Sequence, residues 1–378
     1  MIDRVALPAF PLPETPTPAW LLTGGMSPEH EVSLSSAMTV LQNLERGRFR
    51  VRPVCIRRDG RWCLAPEFLT APLEEAEARA LHAEFTSPSP RWDCLTAEEA
   101  LAALRRDAPA LAFIVMHGPQ GEDGRMQALL EEAGVNYTGS GVEASALAMD
   151  KRRTQRLLAQ RGLTVARFAV IERDGWVNGR ENAVHAAVEA SGFPCVVKPV
   201  AGGSSVGVTP VRERASLMAA VGAAFELDPE AVLIEELLEG TEVTCGVLDL
   251  PDGETVALAP TEILPCAGPF FDYRAKYTPG ACEEITPARV SEAMTVDLRR
   301  LAVETHRIVG ARGFSRTDFI IRGETPHILE INTIPGLTPT SLLPQGAAAV
   351  GIDFRTMMNV IAMSALTNPI SSGPRSVL

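Results

Sequence analysis

Between positions 315 and 341 the chain reads S-R-T-D-F-I-I-R-G-E-T-P-H-I-L-E-I-N-T-I-P-G-L-T-P-T-S. The pattern predicts two strands, 317–322 and 327–331, facing each other across Gly323-Glu324-Thr325-Pro326. Asp318 lies in the first strand, and Glu330 and Asn332 end the second. Residues two apart in a strand share a face, so Glu330 and Asn332 project together, and pairing would bring Asp318 beside them. Two carboxylates and an amide, with neither His nor Cys among them, are hard oxygen donors suited to Mg²⁺, with substrate phosphates completing the shell. Pro335-Gly336 and a predicted helix start at Ser341 follow, both places where backbone N–H groups open towards an anion. A solvated hairpin with charges at its end would look the same, so the rest of the chain must decide.

Further chemistry-bearing groups are spread along the sequence. Lys198 sits inside the apolar strand 193–199, where a cation needs an anionic partner. The small-residue loop 202–207 that follows lets backbone amides cover phosphates, aided by the hydroxyls of Ser204 and Ser205. A plain hairpin loop is the bland alternative. No Walker A pattern occurs. Strand 232–236 ends in Glu235-Glu236, and its crossing towards Glu242 could line an adenine slot, with Glu242 accepting from ribose hydroxyls. His117 follows an apolar run at 111–116, the place where open α/β sheets bind ligands, although a lone His is more often structural. Glu122 and Asp123 would favour a helix N-terminus electrostatically. Lys151 lies in a charge run that by itself reads as a solvated helix face.

The elements that must position these groups read as α/β. After a Pro-rich leader to about residue 18, expected to be extended, comes strand 19–22, a Gly24-Gly25 turn and a helix capped at Ser33 or just before it. Strand 50–56, two Ala/Glu-rich helices around a Ser-Pro loop at 87–90, and a central parallel strand at 111–116 complete a first unit. One helix from about 144 carries Lys151; strand 168–171 and helix 182–191 precede the Lys198 strand. Strands 243–248 and 255–262 flank a Pro-Asp-Gly turn, and 264–288, rich in Pro and Gly, reads as a long lid loop holding Tyr273, Lys276 and Tyr277. Helices are expected over 290–310, 346–351 and 354–366.

Composition sets the bounds. The 378 residues divide into two or three domains, and 46% hydrophobic with 22% charged residues is ordinary for a globular protein. A net charge of −12 argues against nonspecific nucleic-acid binding. No apolar run reaches membrane-span length, and the leader lacks a signal-peptide core, so the expected location is the cytoplasm. Seven scattered cysteines without C-x-x-C spacing suit a reducing compartment and argue against zinc or a disulfide frame.

Taken together, the motifs are specific. They are G-G-M-S-P-E-H-E-V-S (24–33), H-G-P-Q-G-E-D-G (117–124), Y-T-G-S-G (137–141), A-M-D-K (148–151), V-K-P (197–199) and G-S-S-V-G (203–207). F-D-Y-R-A-K-Y (271–277), R-T-D-F (316–319), L-E-I-N-T-I-P-G (329–336) and S-L-L-P (341–344) continue the series in order. The chain resembles the D-alanine–D-alanine ligases of the ATP-grasp superfamily over about residues 21–354. The resemblance implies an α/β protein of three domains, α+β in its ATP-binding part. An open parallel α/β substrate domain (19–139) would follow the leader (1–18). A central ATP-grasp subdomain (140–236) and a catalytic domain (237–378) with lid 264–288 would complete it.

The resemblance also implies roles for particular residues. Lys151 and Lys198 bind ATP phosphates beneath Ser204-Ser205; Glu235 and the Glu236–Leu238 backbone hold adenine, and Glu242 the ribose. Asp318, Glu330 and Asn332 hold two Mg²⁺ ions, with Mn²⁺ a substitute. Glu29, with Ser204 and Tyr277, takes the ammonium of the first D-alanine, and His117 lies nearby. Lys276, Ser341 and Leu342 receive the second substrate's carboxylate, while Arg316 and the Gly336 amide form an oxyanion hole. The implied reaction joins two D-alanines through a D-alanyl phosphate for peptidoglycan precursors, ATP being co-substrate, and a homodimer is expected. The related D-alanyl-D-lactate group carries Phe or His in place of Tyr277, so Tyr277 favours D-alanine as acceptor.

Overall fold

The computed structural model describes residues 4–9, 13–87, 92–203, 205–265 and 282–369. β1 (Thr17–Gly24) is an apolar run buried over its last six residues. It extends two residues beyond the expected strand at each end, so Thr23-Gly24 closes the strand. α1 (His30–Asn43), β2 (Phe49–Ile56), β3 (Trp62–Leu64), α2 (Glu75–Thr86), β4 (Asp93–Leu95), α3 (Ala97–Asp107), β5 (Leu111–Ile114) and α4 (Arg125–Ala133) follow. Glu29 occupies the α1 N-cap, whereas Ser33, the expected cap, lies inside the first turn and donates to the Glu29 carbonyl.

The first sheet has the order β4-β3-β2-β1-β5. β2, β1 and β5 run parallel, while β3 and β4 add an antiparallel edge, so the sheet is mixed and not wholly parallel. β5 is fully buried as its apolar run requires, yet it ends the sheet order and is not central. A parallel bridge from Ala112 to Tyr137 covers its outer edge. Contrary to the expectation from cysteine spacing, Cys63 and Cys94 form a disulfide between β3 and β4. Cross-strand register, invisible to linear spacing, places them together. The leader is also less free than expected: the Val5 N–H donates to the Val350 carbonyl at 3.0 Å, and Val5 and Leu7 pack on the main core.

The predicted single helix from about 144 is two, α5 (Val142–Met149) and α6 (Lys151–Gln160). Asp150 separates them and caps α6 by accepting from the Arg153 N–H. Then come β6 (Phe168–Glu172), α7 (Arg173–Ser191, interrupted at Gly179), β7 (Cys195–Pro199), β8 (Thr209–Val211), α8 (Arg214–Leu227) and β9 (Ala231–Glu236). The strands form an antiparallel sheet, β6-β9-β7-β8, over which Val184, Val188, Leu217 and Val221 close a core.

A second antiparallel sheet, β13-β12-β10-β14-β15 with β11 on β10, comprises β10 (Thr241–Asp249), β11 (Thr255–Ala257), β12 (Thr261–Pro265), β13 (Cys282–Ile285), β14 (Phe314–Arg322) and β15 (Thr325–Asn332). The expected strand 255–262 is broken around Pro260, which cannot donate to a ladder. The expected lid 264–288 is instead strand at its ends, where β12 pairs β13. Its interior, with Tyr273, Lys276 and Tyr277, lies outside the described residues. α9 (Glu292–Val309) backs this sheet. α10 (Leu342–Ala349), starting four residues before the expected 346, and α11 (Phe354–Thr367) join the core of the first sheet. Among the described residues, no single helix is long and apolar enough to cross a membrane.

Gly24 ends β1 at a φ of 82°, where an added Cβ would lie 2.2 Å from the Ile56 carbonyl oxygen. Gly24→Ala is expected to cost about 2 kcal/mol or more, combining the left-handed backbone with a clash against main chain. A lowered urea midpoint at unchanged m-value would register it.

Candidate active site

The β14–β15 register sets Asp318 opposite Glu330 and Arg316 opposite Asn332, with a bulge just after Asp318. Opposed residues share a face and so do residues two apart, so the hairpin presents all four side chains together. Asp318 is buried, and each of its oxygens is committed. Arg316 donates to Oδ1 through Nε and to Oδ2 through Nη2, both at 2.9 Å. Thr244 Oγ1 donates to Oδ1 at 2.6 Å, and Asn332 Nδ2 to Oδ2 at 3.2 Å. Burial alone would lower the Arg316 pKa; the Asp318 carboxylate outweighs it and raises it. The guanidinium is therefore a fixed positive charge. Thr244 reaches the site because it lies two residues beyond Glu242 on β10, opposite Asp318.

The other sheet supplies the lysines. Lys198 on β7 donates to Glu235 Oε2 at 2.5 Å, and Gln155 Nε2 donates to Glu235 Oε1 at 2.5 Å. Lys198 is only 9% exposed, so the anionic partner that its apolar strand demands is Glu235. Lys151, in the first turn of α6, stands 3.3 Å from Glu330 Oε2 and donates to the Gly202 carbonyl at 2.6 Å. Asp150, by starting a new helix, aims Lys151 across the gap. Lys151, Lys198, Gly202, Gly203, Ser205, Glu242, Asp318 and Glu330 line one cleft between the two antiparallel sheets. Ser205 takes a left-handed φ of 56° in the loop at its mouth. Ser204 lies outside the described residues.

Glu236 differs from its neighbour. Strand alternation turns its side chain away from Lys198, where it accepts from Arg167 at 3.2 Å and Arg322 at 3.1 Å. Its N–H donates to the Arg167 carbonyl and that of Leu237 to Pro194. Leu238 beyond it is buried.

Glu29 connects the first sheet to this cleft. A Cβ built at Gly203 would lie 3.1 Å from Glu29 Oε2, and one at Gly118 would lie 2.6 Å from the same oxygen. The small-residue loop and the His-Gly turn thus both close on the carboxylate. His117 is buried beside them. Its Nδ1 meets the Ile334 carbonyl at 3.0 Å, which can only accept, so Nδ1 carries the proton and Nε2 accepts from Ser36 Oγ at 3.1 Å. Burial lowers its pKa against the pull of Glu29, so the ring is neutral. Both ring nitrogens are occupied, and His117 ties the first sheet to the segment after β15. In that segment Gly336 is pinched against Ser341, where an added Cβ would lie 2.8 Å from Oγ. Ser341 Oγ accepts from the Thr338 N–H at 3.1 Å and precedes Leu342, the first residue of α10.

Sequence reasoning missed Thr244 and Gln155, and gave Glu122 only an electrostatic part at a helix end. Period-two alternation from Glu242 would have found Thr244; no linear signal marks Gln155. Glu122 accepts from the Gly118 N–H at 2.6 Å and does more than favour a helix end. Burial first, and then Glu29, push its pKa up to about 8. A raised carboxyl pKa contributes stability that is fully present below the unfolded value near 4.5 and is lost as pH rises through about 8. Glu122→Gln is therefore expected to flatten the fall of Tm across that window and to melt above the parent beyond pH 8. Parallel Tm-against-pH curves for the two proteins check this.

Two antiparallel sheets that close on a cleft lined by lysines, a glycine-serine loop and hairpin carboxylates define the ATP-grasp class of ligases. Models of the D-ala D-ala ligase N-terminus and C-terminus match residues 19–140 and 157–362 respectively. The chain belongs to the D-alanine–D-alanine ligase family, whose members use ATP and a divalent metal and release ADP. A D-alanine–D-alanine ligase of Leptospira interrogans is 40% identical over 340 residues, covering 89% of this chain and 94% of its own. One from a Mycobacterium species (strain KMS) is 39% identical over 357 residues, covering 91% and 94%. Among solved structures, the VanG D-Ala:D-Ser ligase of Enterococcus faecalis superposes with a TM-score of 0.79 at 30% identity, covering 93% of this chain and all of that one. The D-alanine–D-alanine ligase of Coxiella burnetii does so at 0.75 and 26%, covering 93% and 94%.

Proposed function

We propose that the protein joins two D-alanines through a D-alanyl phosphate, with ATP as phosphoryl donor, to supply peptidoglycan precursors in the cytoplasm. The observation that carries this reading is the convergence of Lys151, Lys198, Glu242, Asp318 and Glu330 on one cleft, with Glu29 against the loop at its edge. A carboxylate is a poor acylating agent, so it must first take the γ-phosphoryl group, whose charge needs neutralising. Lys151 and Lys198 bind the phosphates beneath Ser204-Ser205, and phosphate charge would draw each lysine from its present carboxylate. Glu235 and the backbone through Leu238 hold adenine, the Glu236 side chain being turned away; Glu242 holds the ribose. Asp318, Glu330 and Asn332 fit Mg²⁺ because all their donors are hard oxygens and two lie opposite in register. The metal, with Mn²⁺ as substitute, would supply charge neutralisation on the transferring phosphoryl group.

Glu29, with Ser204 and Tyr277, holds the first ammonium, and His117 keeps the Ile334 segment against it. Arg316 and the Gly336 N–H meet the oxygen on which charge develops when the second amine attacks. Lys276, Ser341 and Leu342 take the acceptor's carboxylate. Division at 139/140 and 236/237, and a homodimer, belong to the same reading.

ADP release measured with D-alanine alone tests it; no ADP with D-alanine and Mg²⁺ present overturns it. The likeness to a D-Ala:D-Ser ligase favours a second reading, D-serine as acceptor, and the retained Tyr277 weighs against D-lactate. Product analysis with D-alanine competing against D-serine or D-lactate separates the three.

A further inference from the structure

Three cysteines form one row across the open end of the first sheet. Cys55 stands opposite Cys63 in the β2–β3 pair, and Cys63 opposite Cys94 in the β3–β4 pair. Residues opposed across antiparallel strands share a face, so all three sulfurs lie on one side. The Cα atoms of Cys63 and Cys94 are 4.1 Å apart, the near spacing of a non-hydrogen-bonded pair, and their sulfurs are joined. Cys63 is fully buried whereas Cys94 is half-buried, so Cys94 is the residue on which an incoming thiolate arrives. Cys55 is fully buried too, with Sγ 3.9 Å from the Ile56 carbonyl and 4.0 Å from that of Phe85 at the end of α2. Burial pushes its thiol up to about 12, and a protonated thiol is a poor nucleophile, so Cys55 does not compete for Cys63.

We propose that Cys63–Cys94 is a thiol–disulfide exchange site for low-molecular-weight thiols and their disulfides, locking the outer strand β4, and α2 with it, onto the sheet. In opening, a small thiolate attacks Cys94 Sγ, the bond to Cys63 breaks, and Cys63 leaves as a thiolate that takes up a proton. A second small thiolate then displaces Cys94 from the mixed disulfide. Two small thiols are oxidised to one disulfide, and the protein gains two electrons and two protons as Cys63 and Cys94 thiols.

The lock matters because the edge strands are short. β3 and β4 are three residues long, and among the described residues β4 pairs only with β3. The closed loop, with a separation of 31 residues, contains all of α2. α2 rests on α1, whose first turn carries Ser33 just after the Glu29 cap. The edge-on contact of Phe85 with Trp92, ring centres 5.4 Å apart, and the Trp92 Nε1 bond to Glu84 at 2.9 Å fasten the same edge.

The test equilibrates the full chain with graded ratios of reduced to oxidised glutathione, quenches with acid, alkylates under denaturation and maps the peptides. One two-electron transition is expected, in which Cys63 and Cys94 become alkylated together while Cys55 is alkylated at every ratio. The reduced form should melt about 4–8 °C below the oxidised form. A Cys63→Ser/Cys94→Ser double variant should melt near the reduced form at every ratio. The proposal is overturned if both thiols stay free at the most oxidising ratio, or if the link survives the most reducing one. A linked peptide joining Cys55 to Cys63, or equal melting of the two forms, overturns it as well. Should the double variant fail to fold, the map and melting of the parent decide alone.

Discussion

An Asp318→Asn variant is expected to release ADP on the order of 10³-fold more slowly than the parent at saturating ATP and D-alanine. Asn preserves size and one accepting oxygen, so the Thr244 bond at 2.6 Å can persist. What it removes is the charge that opposes both Arg316 and, in the proposed role, the metal. The two losses separate by titration: if Asp318 is a metal ligand, the variant needs far more Mg²⁺ or Mn²⁺ for half-maximal rate. An unchanged metal requirement would strip Asp318 of that role and leave it as the anchor of Arg316.

Arg316→Met is the complementary case. It leaves Asp318 buried without its bidentate partner, the circumstance in which breaking an ion pair costs about 3–5 kcal/mol. A lowered denaturation midpoint would show that loss, and in activity kcat is expected to fall roughly 10²–10³-fold, as for removal of an oxyanion donor. Half-saturation by metal should move much less than in Asp318→Asn. If both variants moved it equally, the hairpin would act as one electrostatic unit and the separate roles would fail. Thermal melting of each variant beside its rate guards against reading an unfolded protein as an inactive one.

Lys151 and Glu330, Lys198 and Glu235, and Arg316 and Asp318 are each paired in the structure. An acidic chain therefore keeps its few cleft cations neutralised from within. Lys151 and Lys198 are the groups proposed to meet phosphate, so binding exchanges one anionic partner for another on each lysine. The exchange also explains why Lys198, a cation in a buried strand, is tolerated at all.

The hairpin strands, their facing carboxylates and the lysine strand could be read from residue order alone. Alternation has period two, and apolar runs mark burial whatever their partners. The same logic found the glycine-serine loop, because small residues have few other reasons to cluster between strands. Order could not say that β5 lies at an edge, that β3 and β4 run antiparallel, or that Cys63 meets Cys94. Pairing partners are chosen by contacts between segments remote in the chain. Nor could it give Glu122 its altered acidity, which arises from burial beside Glu29, 93 positions away in sequence. Local chemistry determined which groups were available and which elements carried them. The assembly of the sheets determined which of those groups met, because burial and register are properties of neighbours that the linear chain does not specify.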